Sequence, residues 1–306
     1  MKNKKIGVAL GGGAARGFAH LGVLKIFEKY NITPALIAGT SMGAIVGAAF
    51  ASGKYDSVHS LIYKFKEIID SDEFEKLGLN VVEKKKDKSF IDKLKNTYVK
   101  FNFYRKMLNN TNIFDNKQFE KLLKQIIPDI NIEDTKIPFK TVTLNIKTGK
   151  KVVLEKGSLI KAVMASCAIP GIFKPVSYKK MLLIDGGWAE KVPASVIRKS
   201  GIPFVIAVDV SQKTTIPSIK NHNGLEILFS SDEITSDILT ELQLLAADIV
   251  IHPEFKKADW YDVSRIDEFI KLGQLEAEKK LKYFHYSAKY NNIISNFKIL
   301  LKRIIK

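Results

Sequence analysis

The chain has 306 residues, 46% of them hydrophobic, with 49 Lys and Arg against 32 Asp and Glu for a formal charge of +17. That length holds one large α/β domain, or one domain with an appendage, and the apolar content is ample for a core. One cysteine, Cys167, excludes an internal disulfide and fits a reducing compartment, while the charge favours a polyanionic partner, either nucleic acid or an anionic membrane.

Ile6 to Leu10 is a short apolar, β-branched run that fits a buried parallel strand, and Ala14 to Tyr30 reads as a helix. Between them stands Gly11-Gly12-Gly13-Ala14-Ala15-Arg16-Gly17. Glycines there allow φ > 0 and leave backbone amides unshielded, and the positive end of the following helix adds to a site for negative charge. A dinucleotide loop would use the same physics. Counted from Gly11, however, Arg16 replaces the third glycine of that fingerprint, no acidic residue follows at the usual distance, and no G-K-[ST] marks a P-loop. Met1 to Lys5 followed by the apolar run imitates a signal peptide, but glycines and Arg16 break the run and the first strand needs it. The expected location is cytoplasmic, with peripheral contact at the inner membrane face.

Leu36 to Ala38 repeats the strand signal and Met42 to Ala51 the helix signal. Ser41 lies between them in Gly39-Thr40-Ser41-Met42-Gly43, the G-x-S-x-G frame of a nucleophile elbow, in which flanking glycines relieve crowding and expose the hydroxyl. Tyr30 to Gly53 is uncharged and long enough to span a bilayer, yet Pro34, Thr40, Ser41 and the glycines suit a strand, an elbow and a buried helix better. No transmembrane segment is expected.

Residues 56 to 135 lack clear buried strands and are mostly lysine-rich helical patterns, which read as a helical insertion or cap walling a cleft. Between Val81 and Asn110, nine Lys or Arg residues face three acids, and Tyr98, Phe101, Phe103 and Tyr104 interleave with them. This suits an anionic membrane surface. Core packing with solvated lysines would give the same pattern. The tail, about 285 to 306, repeats the pattern as a basic amphipathic helix, Ile293 to Ile305 with Lys298, Lys302, Arg303 and Lys306.

The remainder alternates strand and helix, as a doubly wound sheet should. Strands are expected at Phe139 to Ile146, Lys151 to Leu154, Met181 to Ile184, Phe204 to Val210 and Ile249 to His252. Helices are expected at Ser158 to Ala168, Pro193 to Ser200, Gly224 to Ala247 and Val263 to Tyr283.

A serine nucleophile needs a base. The histidines are His20, His59, His222, His252 and His285. In the α/β-hydrolase order a histidine comes last, but that fold places several strands before its nucleophile, and Ser41 follows only the second. The better candidate is Asp185, where the apolar run Met181 to Ile184 ends in a carboxylate followed by Gly186 and Gly187. A free aspartate, with a pKa of about 3.9, is a poor base at neutral pH, and partial burial beside the serine would raise it. Asp209 also ends a strand but lacks the paired glycines.

These segments resemble the bacterial patatin-like phospholipase family. The first loop with Gly17-Phe18-Ala19-His20-Leu21-Gly22-Val23-Leu24 is similar to its oxyanion-hole segment, Gly39 to Gly43 to its nucleophile motif, Asp185-Gly186-Gly187 to its D-G-[AG] motif, and Ala165 to Pro175 to a further segment. The match covers about residues 5 to 55 and 139 to 280, and Ala14 stands where many members carry a glycine. The resemblance implies an α/β fold, a mostly parallel sheet sandwiched by helices, in a single domain with the insertion at about 56 to 135. It implies a Ser41-Asp185 dyad with no histidine, metal or cofactor, hydrolysing lipid acyl esters. Amides of Gly12, Gly13 and Ala14 would hold the oxyanion, and Arg16, Gly17, Gly186 and Gly187 would support the loops or the substrate. The expected partner is a phospholipid or lysophospholipid. The alternative is a regulatory or membrane-binding protein that keeps the fold. No recognised nucleic-acid module accompanies the basic insertion.

Overall fold

The computed structural model describes residues 5–76, 114–212, 224–256, 258 and 262–282. Its strands are β1 (Ile6–Leu10), β2 (Leu36–Gly39), β3 (Phe139–Asn145), β4 (Lys150–Leu154), β5 (Val176–Tyr178), β6 (Met181–Asp185), β7 (Phe204–Val208) and β8 (Ile249–Ile251). They form one sheet in the order β5-β6-β3-β2-β1-β7-β8, with β4 paired to β3. β3, β2, β1, β7 and β8 run parallel, while β4 and β6 run against β3. The sheet is therefore mixed but mostly parallel.

Helices cover both faces, as buried parallel strands require. α1 (Ala19–Lys29), α2 (Met42–Ser52), α3 (Val58–Ile69), α4 (Asp72–Lys76), α5 (Asn116–Ile126), α6 (Leu159–Ser166) and α9 (266–282) all contribute to the larger core. α7 (Ala194–Lys199) and the end of α8 (Gly224–Leu244) cover the other face. The period of two sorts each central strand. Val8 and Leu10, Ile37, and Ile206 and Val208 enter the larger core, while Ala9, Ala38 and Ala207 face the other way. Those three alanines are register partners, so they form a smooth row across β2, β1 and β7.

The segment expected as one helix, Ala14 to Tyr30, divides into a 3-10 turn at Ala14–Phe18 and then α1. β5 was not expected, since three residues carry too little periodicity to read. Within 56 to 135 the described regular elements are helices, and Phe65, Ile68, Leu122, Leu123 and Ile126 belong to the larger core. The most basic stretch, Val81 to Asn110, and the tail from 285 lie outside the described residues. Among the described residues, no helix is long and apolar enough to cross a membrane.

Candidate active site

The sheet brings Ser41 and Asp185 together through β3. One edge of β3 is taken by β4 from Thr141 to Asn145, so β2 and β6 must share the other. β2 climbs that edge until Gly39 lies opposite Thr141, and β6 descends it until Asp185 lies opposite Thr143. The two strands thus point at each other, with tips about two residues of β3 apart, roughly 7 Å along the strand. Ser41 follows one tip and Asp185 ends the other, across 144 residues of sequence (185 − 41).

The elbow is tight enough to fix its residue types. Ser41 has φ 54° and ψ −122°, a left-handed conformation that costs an ordinary residue roughly 1–3 kcal/mol. A Cβ on Gly39 would stand 2.4 Å from Gly43 O, and one on Gly43 would stand 2.1 Å from Leu10 O. Hydrogen bonds offset the strain: Thr40 N–H donates to Leu10 O at 3.0 Å, Thr40 Oγ1 to Glu190 O at 2.9 Å, and Ser41 N–H to Ser166 Oγ at 3.0 Å. The Ser166 hydroxyl in turn donates to Val142 O at 2.7 Å, so it clamps the elbow to β3. No spacing rule singled out Ser166. It lies within a matching segment, but only the tertiary structure gives it this task.

Asp185 is 3% exposed. Its Oδ1 accepts the Gly187 amide at 2.7 Å, and its buried Oδ2 has no partner in hydrogen-bond geometry. Burial raises the carboxyl from 3.8 to about 6, against the Gly187 amide, the Ser41 hydroxyl and the Lys191 ammonium, all of which favour the charged form. The Ser41 hydroxyl is thus within electrostatic reach of an unfilled acceptor, and such pairs often tighten only around substrate. Cys167, also buried, has its thiol pushed well up by desolvation and then by the Asp185 charge. That makes it an inert neighbour.

The glycine-rich loop lies beside the elbow, and a Cβ on Gly12 would meet Ser41 Cβ at 3.3 Å. Of the three amides expected to face an oxyanion, that of Gly12 is engaged: it donates to Lys191 O at 2.9 Å. The Gly13 and Ala14 amides open the 3-10 turn with no side-chain cap, and neither donates to a protein acceptor among the described residues. Ala14 has φ 47°, a conformation that favours glycine. Arg16 Nη1 donates to Gln212 Oε1 at 3.1 Å and Ala258 O at 3.2 Å, which ties the loop down.

The histidines stand elsewhere. His20 is fully buried with Nε2 2.8 Å from Gly11 O, and desolvation lowers its pKa to about 4. This neutral ring supports the loop from below. His252 Nδ1 pairs with Asp209 Oδ2 at 3.0 Å, so the second strand-end acid is committed to that imidazole. His59 is exposed, and His222 and His285 lie outside the described residues.

Ser41 opens onto a cavity of about 160 Å³ walled by apolar side chains, including Phe18, Ile45, Phe65, Leu123, Ile172 and Phe173. Phe119 stacks on Phe173 at 4.6 Å between ring centroids. Such a wall suits an apolar group.

The model of the patatin-like phospholipase family matches residues 8–197, which include the glycine loop, the elbow and Asp185-Gly186-Gly187. The chain belongs to the patatin-like phospholipase family. Among curated relatives, neuropathy target esterase sws of Drosophila melanogaster is 30% identical over 215 residues, covering 70% of this chain and 13% of that protein. Human patatin-like phospholipase domain-containing protein 6 is 30% identical over 210 residues, covering 68% and 13%. Lysophospholipase NTE1 of Candida albicans is 26% identical over 216 residues, covering 69% and 13%. The chain therefore spans only about an eighth of the length of these patatin-like relatives. VipD from Legionella pneumophila shares the fold, with a TM-score of 0.51, 14% identity, and coverage of 92% of this chain and 67% of that one.

Proposed function

We propose that this patatin-like protein is a serine lipid acyl hydrolase, acting on phospholipid or lysophospholipid through a Ser41-Asp185 dyad. The observation that carries this reading is the meeting of β2 and β6 on one edge of β3, which sets a strained serine beside a buried carboxyl at the mouth of an apolar cavity. Relatives named as a phospholipase domain protein and a lysophospholipase add support.

The acyl chain enters the cavity and its ester carbonyl meets Ser41 Oγ. As Oγ attacks, Asp185 Oδ2 takes the hydroxyl proton, and the carbonyl oxygen, now negative, accepts hydrogen bonds from the Gly13 and Ala14 amides. The C–O bond to the alcohol then breaks, and Asp185 returns the proton to the leaving oxygen. Water repeats the sequence on the acyl-enzyme, freeing the fatty acid and Ser41. An aspartate with a pKa of about 6 is ionised at neutral pH yet basic enough to accept a proton, which a solvated aspartate near 3.8 is not.

Ester and lysophospholipid hydrolysis by wild type, Ser41→Ala and Asp185→Asn tests the reading, with labelling by a fluorophosphonate. Both variants are expected to lose turnover at least a thousandfold while remaining folded, and the probe to mark Ser41. Turnover near wild type in either variant removes that residue from the mechanism.

A further inference from the structure

Beyond Asp185 the chain runs through Gly187 and Trp188 to Lys191, and these residues with α8 line a second cleft of about 350 Å³. It carries more polar groups than the apolar cavity, since Lys191, Asp232, Thr235, Ser236 and Gln243 line it together with Trp188 and Leu239. Lys191 Nζ donates to Ser236 Oγ at 3.2 Å, its one hydrogen bond among the described residues, so two ammonium donors remain for a ligand. Gln243 Oε1 is fixed by the Val192 amide at 3.2 Å, which leaves its NH₂ group to donate. Trp188 is 47% exposed, a large aromatic surface lining the cleft. Asp232 supplies the opposite charge.

This balance of charge selects among ligands. Lysine is an effective phosphate binder, and an exposed indole attracts an ammonium group. A ligand that was only anionic would meet Asp232, as well as Asp237 and Glu233, whose charges reach Lys191 together with those of Asp209 and Arg16. A ligand carrying a phosphate and a cation together satisfies both signs. Ser41 lines the apolar cavity, and Gly187, two residues past Asp185, lines the polar cleft. The Lys191 charge also reaches the Asp185 carboxyl, which puts the cleft beside the acid of the pair.

We propose that this cleft receives a zwitterionic phospholipid headgroup, its phosphate against Lys191 and Ser236 and its ammonium against Trp188 and Asp232. The proposal rests on the hydrolase reading and adds the headgroup class to it. Lys191 is in this sense a specificity residue; its main-chain carbonyl, which holds Gly12, is unchanged by substitution of the side chain.

The test compares kcat/KM for lysophosphatidylcholine, lysophosphatidylglycerol and a p-nitrophenyl ester of the same acyl length, in wild type, Lys191→Met and Asp232→Asn. Lys191→Met is expected to lower the ratio of lysophosphatidylcholine to p-nitrophenyl ester about tenfold, equivalent to about 1.4 kcal/mol. Asp232→Asn should lower the ratio of choline to glycerol lipid about threefold. Any effect of Lys191 on Asp185 acts on every ester alike and cancels in these ratios. Unchanged ratios overturn the proposal. Failure of wild type to hydrolyse all three esters strikes the hydrolase reading instead, and the cleft is then judged by binding. Phosphocholine at millimolar concentration should quench the fluorescence of Trp188 in wild type, but not in Lys191→Met or after Trp188→Phe. Absence of quenching in folded wild type also overturns the proposal.

Discussion

Replacing Asp185 by Asn should stabilise the protein at neutral pH while removing the proposed hydrolase activity, and the gain should depend on pH in a defined way. Burial raises the Asp185 carboxyl from 3.8 to about 6, a difference of about 2.2 units (6 − 3.8). At about 1.36 kcal/mol per unit, the ionised side chain costs the folded state up to about 3 kcal/mol. Above pH 6 both folded and unfolded chains carry the charge, so the whole cost falls on folding. Between pH 6 and 4 the folded chain takes up a proton that the unfolded chain lacks, and the cost fades. Below the unfolded value both are neutral and it vanishes. Asn bears no such charge and its Oδ1 can still accept the Gly187 amide, although its buried NH₂ needs a partner, so the net gain is expected at about 1–3 kcal/mol at pH 8. Urea unfolding of wild type and variant at pH 8, 6 and 4.5, with equal m-values, measures it. A variant no more stable than wild type at pH 8, or a gain that does not shrink toward pH 4.5, would refute the claim that Asp185 is a desolvated carboxylate.

The same group should set the acid limb of catalysis: kcat/KM for a short-chain ester rises through an apparent pKa of about 6 and stays level to pH 8, and a profile already flat at pH 5 would point to a different base. Ala14→Gly relieves a left-handed alanine at φ 47° and should leave stability unchanged or raised by up to about 1 kcal/mol in thermal unfolding. A loss above 1 kcal/mol would mean the Ala14 methyl is needed for packing. Gly273→Ala would set a methyl 2.0 Å from Ala19 O where α9 crosses α1, and should cost about 2–4 kcal/mol in urea unfolding. A cost under 0.5 kcal/mol would show that the two helices separate easily.

Much of the site was legible because its demands are local. Gly39 and Gly43 announce a turn where no side chain fits, and Asp185-Gly186-Gly187 announces a strand that ends in an acid. The strands around them could be read because buried parallel strands are continuous apolar runs. Other features depend on partners far away in sequence. The Gly12 amide, expected in the oxyanion hole, is engaged by Lys191 O, and nothing near Gly12 foretells it. Ser166 reads as one more small helical residue until its hydroxyl is found between Val142 O and the Ser41 amide. Reversal of β4 follows from the short Lys147-Thr148-Gly149-Lys150 turn, too short for a parallel crossover, but that of β6 was hidden, since a strand's own residues do not record its direction relative to a distant neighbour.

By itself, the sequence determined the elbow, the glycine loop, the acid and the alternation of strands and helices, all properties of backbone stereochemistry within a few residues. Only the tertiary structure decided that β2 and β6 share one edge of β3, that Asp185 is desolvated to a pKa of about 6, and that Ser41 lines an apolar cavity. Burial and electrostatics sum over groups brought close in space, and for residues 144 positions apart (185 − 41) that proximity comes from the packed sheet rather than from local sequence.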